Sequence, residues 1–374
     1  MKKKKLIISM SVLVLILAAA IGYHVYTAVP AVDVTEETEE MEKVAPVGPA
    51  FNADSAYAFT AAQCAFGPRD MNSEGHERCK EWIIRKFRSY GCEVNTQEAD
   101  LKGYDGTVLK STNIIASINP QATTRILICA HWDSRPWADN DPDSLNWRKP
   151  ILAANDAASG VAVMLELARL LKAEVGVQNA QSGMQKVNGG KQEAEQAGAE
   201  KVQSSKFKDQ SLGVDFVCFD AEDWGTPQWS NQQDDPNSWA LGAQHFAANL
   251  PQGYAPRYGI LLDMVGGQGA QFYREGMSMQ YAPEIVKKVW RAARQAGFDS
   301  FFPRQDGGMI TDDHIPVNEV AKIPCIDIIP YYPACEQSSF GPTWHTLADD
   351  MDHIDRNTLK AVGQTLIQVL FTEE

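Results

Sequence analysis

From about residue 51 to residue 371, apolar runs of strand length alternate with stretches of helical length, and this alternation narrows the folds open to the chain. Strand-like runs lie at 111–118, 125–131, 214–220, 258–265 and 324–329. Helical patterns lie at 73–91, 159–174, 238–249, 281–297 and 356–371. Strands joined through helices predict an α/β fold, with a mostly parallel, twisted central sheet covered by helices on both faces. A single domain over 51–374 accommodates the whole pattern.

The remaining segments read differently. Lys2–Lys5 precede an apolar run from Leu6 to about Tyr23, so 1–28 is expected to be a signal or membrane-anchor segment, with an uncleaved anchor preferred. Positive residues stay inside, which places the domain outside the cytoplasm, in the periplasm and held at the inner membrane. Residues 29–50 are acidic and then Pro-rich, as a solvated tether would be. The Gln/Ala/Gly/Lys-rich stretch 176–210 reads as a mobile surface insertion. Lys and Arg number 34 against 48 acids, and a net charge of −14 argues against a nucleic-acid partner. The chain is expected to act as a monomer. Seven cysteines include no CxxC pair, and buried free thiols are preferred over disulfides at Cys64–Cys79 or Cys325–Cys335.

In open α/β sheets, ligands gather beyond the carboxyl ends of the strands. Run 125–131 delivers His131 and Asp133 there, 214–220 delivers Glu222 and Asp223, and 258–265 carries Asp263. Asp156 precedes the helix at 159, and His345 lies in a later loop, "GPTWHT". Taken singly, Asp156 could be an N-cap, Asp263 a hydrogen-bonded core acid and His345 a loop histidine. Together, imidazoles and carboxylates at one edge are what a zinc ion with an open coordination position requires. Of the adjacent acids Glu222 and Asp223, one can bind metal while the other moves protons. The stretch "DNDPDS" at 139–144 resembles the start of an EF-hand loop without its Gly and Glu, and reads as a solvated acidic loop.

"AHWDS", "AANDAASGVAVMLELARLL", "FDAEDWG", "ALGAQHFA", "LLDMVG", "DDHIPV" and "PTWHT" occur in that order. In them the chain resembles the zinc-dependent glutaminyl cyclases of the animal type, particularly their bacterial membrane-anchored versions, on the zinc aminopeptidase-like fold. Trp344 before His345, and Asp312 before Asp313 and His314, favour the cyclase over an aminopeptidase. The resemblance implies conversion of N-terminal glutamine of peptides and proteins to pyroglutamate. It implies one zinc on Asp156, Asp223 and His345, with Glu222 as general base and then acid. Asp263 and Asp312 would form an acid pair, and Trp344 with Trp224 or Trp229 would line the pocket above Ile328 and Ile329. Asp327 stands where the animal enzymes tend to carry His, and Asp223 is one methylene shorter than the usual Glu. The alternative, a di-zinc aminopeptidase, would use two metals, with His131 and Asp263 completing the second site.

Overall fold

The structure is a computed structural model that describes residues 46–187, 211–231, 233 and 235–373. Six strands form one sheet: β1 (Glu93–Lys102), β2 (Val108–Ile118), β3 (Thr124–His131), β4 (Leu212–Phe219), β5 (Gly259–Leu262) and β6 (Cys325–Ile328). Their spatial order is β1-β2-β4-β3-β5-β6, with β4, β3, β5 and β6 parallel and the two edge-side pairs antiparallel. The α/β expectation therefore holds. β1 escaped the sequence reading because it is an edge strand with no buried residue, so it lacks an apolar run.

Alternation along the central strands splits the core into two layers. Ile126, Ile128 and Ala130 face one side, with Val214, Phe216 and Cys218. Helices α1 (Ala53–Cys64), α2 (Glu74–Ser89), α3 (Ala158–Val187), α6 (Pro283–Gln295) and α8 (Arg356–Phe371) cover this side. Leu127, Cys129, Val217, Phe219 and Leu261 face the other, where they meet α4 (Leu241–Ala248) and α7 (His314–Glu319) through Phe246 and Val317. Burial on both faces explains why the strands read as unbroken apolar runs. A short helix, α5 (Gly276–Tyr281), packs beside β6.

Helix α3 is the element that brings the chain to the site. Its Gly160 sits so near the sheet that a Cβ would lie 2.4 Å from the carbonyl oxygen of Leu262 and 2.8 Å from Ala130. Only glycine permits that approach.

Several expectations change. Helix α3 continues to Val187, so residues 176–187, the first part of the expected insertion, are helical. Low hydrophobicity does not by itself prevent a helix, and the helix-compatible Gln178, Gln181 and Gln185 recur here. Residues 188–210 lie outside the described residues, as do 1–28 and the tether to residue 45. Of the tether's last residues, Pro46, Gly48 and Ala50 are exposed, while the half-buried Val47 donates its N–H to Gln368 Oε1 at 2.9 Å. No helix among the described residues is long and apolar enough to cross a membrane. All seven cysteines are free and six are buried.

Candidate active site

Parallel register decides what meets at the sheet edge. His131 ends β3 opposite Phe219 at the end of β4, so the chain after Phe219 delivers Asp220, Glu222 and Asp223 beside His131. Leu262 ends β5 opposite Ile328, and Asp263 follows, its N–H donating to the Ile328 carbonyl at 3.2 Å. The backbone bends sharply here. Ala221, Met264 and His345 have φ values of 53°, 50° and 54°, left-handed conformations that are costly away from glycine. Two of them flank Glu222 and Asp263 and the third is His345 itself, the kind of strain that the surrounding structure maintains at functional sites.

Asp156 is the hub. Its Oδ1 lies 2.9 Å from His131 Nε2, and its Oδ2 lies 3.7 Å from His345 Nε2. His345 Nε2 is 3.3 Å from Asp223 Oδ1, and His131 Nε2 is 3.3 Å from Asp263 Oδ1. Two triads result, Asp156–Asp223–His345 and His131–Asp156–Asp263, each with donor atoms within 4.8 Å of one another. Asp223 Oδ2 and Asp263 Oδ1 are buried without a hydrogen-bond partner. Orphaned carboxylate oxygens at that depth cost several kcal/mol, and a cation would relieve the cost. The imidazole and carboxylate donors are those zinc accepts.

Burial pushes the Glu222 carboxyl well above the ordinary range, opposed by the charge of His131 and reinforced by Asp223 and Asp312. Burial likewise raises Asp312, and the nearby Asp263 charge raises it further. Asp263 is raised by burial and by Asp156. For His131, burial opposes protonation, yet Asp133, Asp156 and Asp263 outweigh it and hold the ring well on the imidazolium side.

A cavity of about 230 Å³ opens over Asp156, Glu222, Asp263, Asp312 and His345. Its walls include Trp344, Trp239, Phe340 and Ile329. Trp344 stacks on His345 with ring centroids 3.8 Å apart. Trp224 and Trp229, expected at the pocket, lie elsewhere. Trp224 packs on Trp137 with Nε1 turned to Asp105, and Trp229 stacks with Trp147. Trp239 takes the place foreseen for them, its ring parallel to His345 at 6.2 Å. Ile328 is fully buried in β6, and it is the next residue, Ile329, that reaches the cavity. Asp327 also stays beneath the surface, with both carboxylate oxygens unpartnered. Burial and then the charge of Asp312 push its carboxyl well above the usual range.

Several supporting residues had not been singled out. Asp349 accepts from the Asn155 and Asp156 N–H groups at 2.7 and 3.0 Å, fixing the loop that carries the hub. Asp133, noted only as a strand-end acid, accepts from the N–H groups of Glu222 and Asp223 at 3.1 and 3.2 Å. Arg135 bonds Asp223 and Asp139. Asp139 and Asp141 correct the solvated-loop reading of 139–144. Asp139 is 1% exposed against Arg135, and Asp141 folds its oxygens onto Leu347, Asn146 and Asp143. The acidic spacing "DND" was the available signal, but local pattern does not reveal which acids have buried partners.

A parallel sheet with a histidine–carboxylate hub at its carboxyl edge defines a metallohydrolase-like enzyme. Residues 113–370 match peptidase family M28, and the chain belongs to that family. The chain is 45% identical to a glutaminyl cyclase of Bacteroides thetaiotaomicron whose crystal structure holds N-acetylhistamine. That match covers 88% of this chain and 100% of that one, at a TM-score of 0.76. It is 44% identical to the structure of a leucine aminopeptidase precursor from the same species, covering 88% and 99% at a TM-score of 0.75. An aminopeptidase of Bacillus subtilis is 26% identical over 287 residues, 74% of this chain but only 47% of that relative's length. The resemblance to bacterial glutaminyl cyclases on the aminopeptidase-like fold is thus borne out, and family membership implies zinc.

Proposed function

We propose that the protein is a glutaminyl cyclase, converting the N-terminal glutamine of peptides and proteins to pyroglutamate with release of ammonia. The cavity carries this reading. At about 230 Å³ it is smaller than a typical ligand pocket and has room for one residue. Asp263 and Asp312 both line it, and Trp344 forms part of its wall. An exopeptidase must pass the rest of the peptide over its metal, whereas a cyclase must fold one side chain back toward its own amine.

Asp156, Asp223 and His345 would hold one zinc ion, which supplies Lewis-acid polarisation of the γ-amide carbonyl. Glu222 takes a proton from the α-amine. The amine nitrogen bonds to the γ-amide carbon, the carbon–nitrogen bond of that amide breaks, and Glu222 returns the proton to the departing ammonia. Asp263 and Asp312, both raised by burial, share a proton and anchor the substrate amine. Both reacting groups belong to one residue, so orientation supplies much of the rate. The same reading places the enzyme outside the cytoplasm, on the strength of its Lys-led apolar N-terminal segment.

The second triad, His131–Asp156–Asp263, favours a second reading: a di-zinc aminopeptidase. Incubating the protein with a Gln-initiated peptide and, separately, a leucine anilide decides between them. Ammonia from the first with the second untouched supports the cyclase; cleavage of the anilide alone reverses the assignment.

A further inference from the structure

Arg135 and Asp139 take no part in the reaction as written, yet both are 1% exposed and lie against two of the three zinc ligands proposed above. The Arg135 fork donates from Nε and Nη2 to the two Asp139 oxygens, each at 2.7 Å. Its Nη1 donates to Asp223 Oδ1 at 3.1 Å and to the Asp223 carbonyl at 3.2 Å. The guanidinium rests over Trp239 at 4.7 Å and Trp137 at 5.3 Å, which prevents it from swinging away. Asp139 Oδ1 also faces Nδ1 of His345 at 3.5 Å. One ion pair therefore reaches a carboxylate ligand with its cation and an imidazole ligand with its anion.

We propose that Arg135 and Asp139 are positioning residues that set the metal affinity of this site. Arg135 fixes the rotamer in which Asp223 presents its oxygens. Asp139 keeps the proton of His345 on Nδ1, so that Nε2 is free to ligate. Such partners orient ligands and change affinity without touching the ion. A planar fork makes two parallel bonds to Asp139 and still reaches Asp223, a geometry that an ammonium does not reproduce. The inference rests on the zinc reading of the site and is independent of which reaction the enzyme performs.

The test is the double variant R135Q/D139N, which removes one charge of each sign and leaves the site's net charge unchanged. Zinc affinity, measured by competition with a chromophoric chelator, should fall roughly 10–100-fold. The visible spectrum of the cobalt-loaded protein should shift as the ligands lose their fixed geometry, a signature that a purely structural role would not produce. Zinc affinity within twofold of the native protein, with an unchanged cobalt spectrum, overturns the proposal whatever the loss of stability. If the double variant does not fold, R135K carries the test, since it keeps the buried charge. A several-fold loss of zinc affinity supports the proposal and none sinks it. A native protein that takes up no zinc overturns the metal reading itself, a failure distinct from that of the pair.

Discussion

The two sides of Asp156 hold similar donors in dissimilar surroundings. On one side, Asp223 and His345 are braced by the Arg135–Asp139 pair, and the imidazole stacks on Trp344 with the Trp239 ring parallel to it at 6.2 Å. On the other, Asp133 Oδ1 lies 3.5 Å from His131 Nδ1, matching Asp139 at His345, but no arginine holds Asp263, whose Oδ1 makes no hydrogen bond of good geometry. The first side has ligands fixed before any ion arrives. Burial opposes protonation of both imidazoles, yet neighbouring carboxylates hold His131 and His345 alike toward the imidazolium form, so charge alone does not distinguish the two sides. Preorganisation as well as donor count sets how tightly a site holds metal, and the arginine brace on Asp223 is what differs between the two sides.

The largest expected effect lies between the two sides. Glu222→Gln removes the proton carrier while keeping its shape, and kcat should fall by roughly 10²–10⁴-fold. Zinc content should stay near that of the native protein, because Asp223 rather than Glu222 belongs to the triad. Metal analysis of the purified variant checks this, and zinc loss would mean the two acids have exchanged roles. The base works ionised, so kcat/KM should rise with pH through the Glu222 pKa. Burial places that limb above the range of an ordinary glutamate, whose value is 4.5. The limb should vanish in the Gln variant.

Next comes the direct contrast. His345→Ala should cost zinc affinity more than the roughly 100-fold upper range of a supporting residue, since it deletes a ligand. His131→Ala should leave one zinc per chain bound. Stoichiometry by mass spectrometry under native conditions decides the matter. Two ions in the native protein, falling to one in His131→Ala, would break the asymmetry and favour the peptidase.

How much of this was legible beforehand follows from the physics of each feature. The parallel strands were readable because burial on both faces leaves unbroken apolar runs, as in β4. His131, Glu222, Asp223 and Asp263 were readable as strand-end residues because the rule that sites form at carboxyl edges is topological. β1 was not readable, since an exposed edge strand has no apolar signature. Nor was the choice among tryptophans: Trp224, Trp229 and Trp239 lie within sixteen residues of one another, and only the loop's path sets which ring meets His345. Arg135, Asp139 and Asp349 act through partners as distant in sequence as His345 is from Asp139, and local sequence does not encode such pairings.

The smallest effect should come from Asp349, which serves both sides by holding the loop of Asp156. Asp349→Asn keeps one acceptor oxygen for two N–H groups, so zinc affinity should drop only about tenfold, near the low end for a supporting residue. Its pH signature is more telling. Burial, and then the charge of Asp156, raise the Asp349 carboxyl from 3.8 to about 7. Between those values the folded state binds a proton that the unfolded state does not, so this group makes the metal-free protein less stable as pH rises from about 4 to about 7. Below and above that window its contribution is flat. A cation on Asp156 cancels much of the charge responsible and should flatten the slope. Chemical denaturation at several pH values, with and without zinc, tests this. A slope that persists unchanged in Asp349→Asn would assign it to other carboxyls, and one insensitive to zinc would mean the ion does not sit on Asp156.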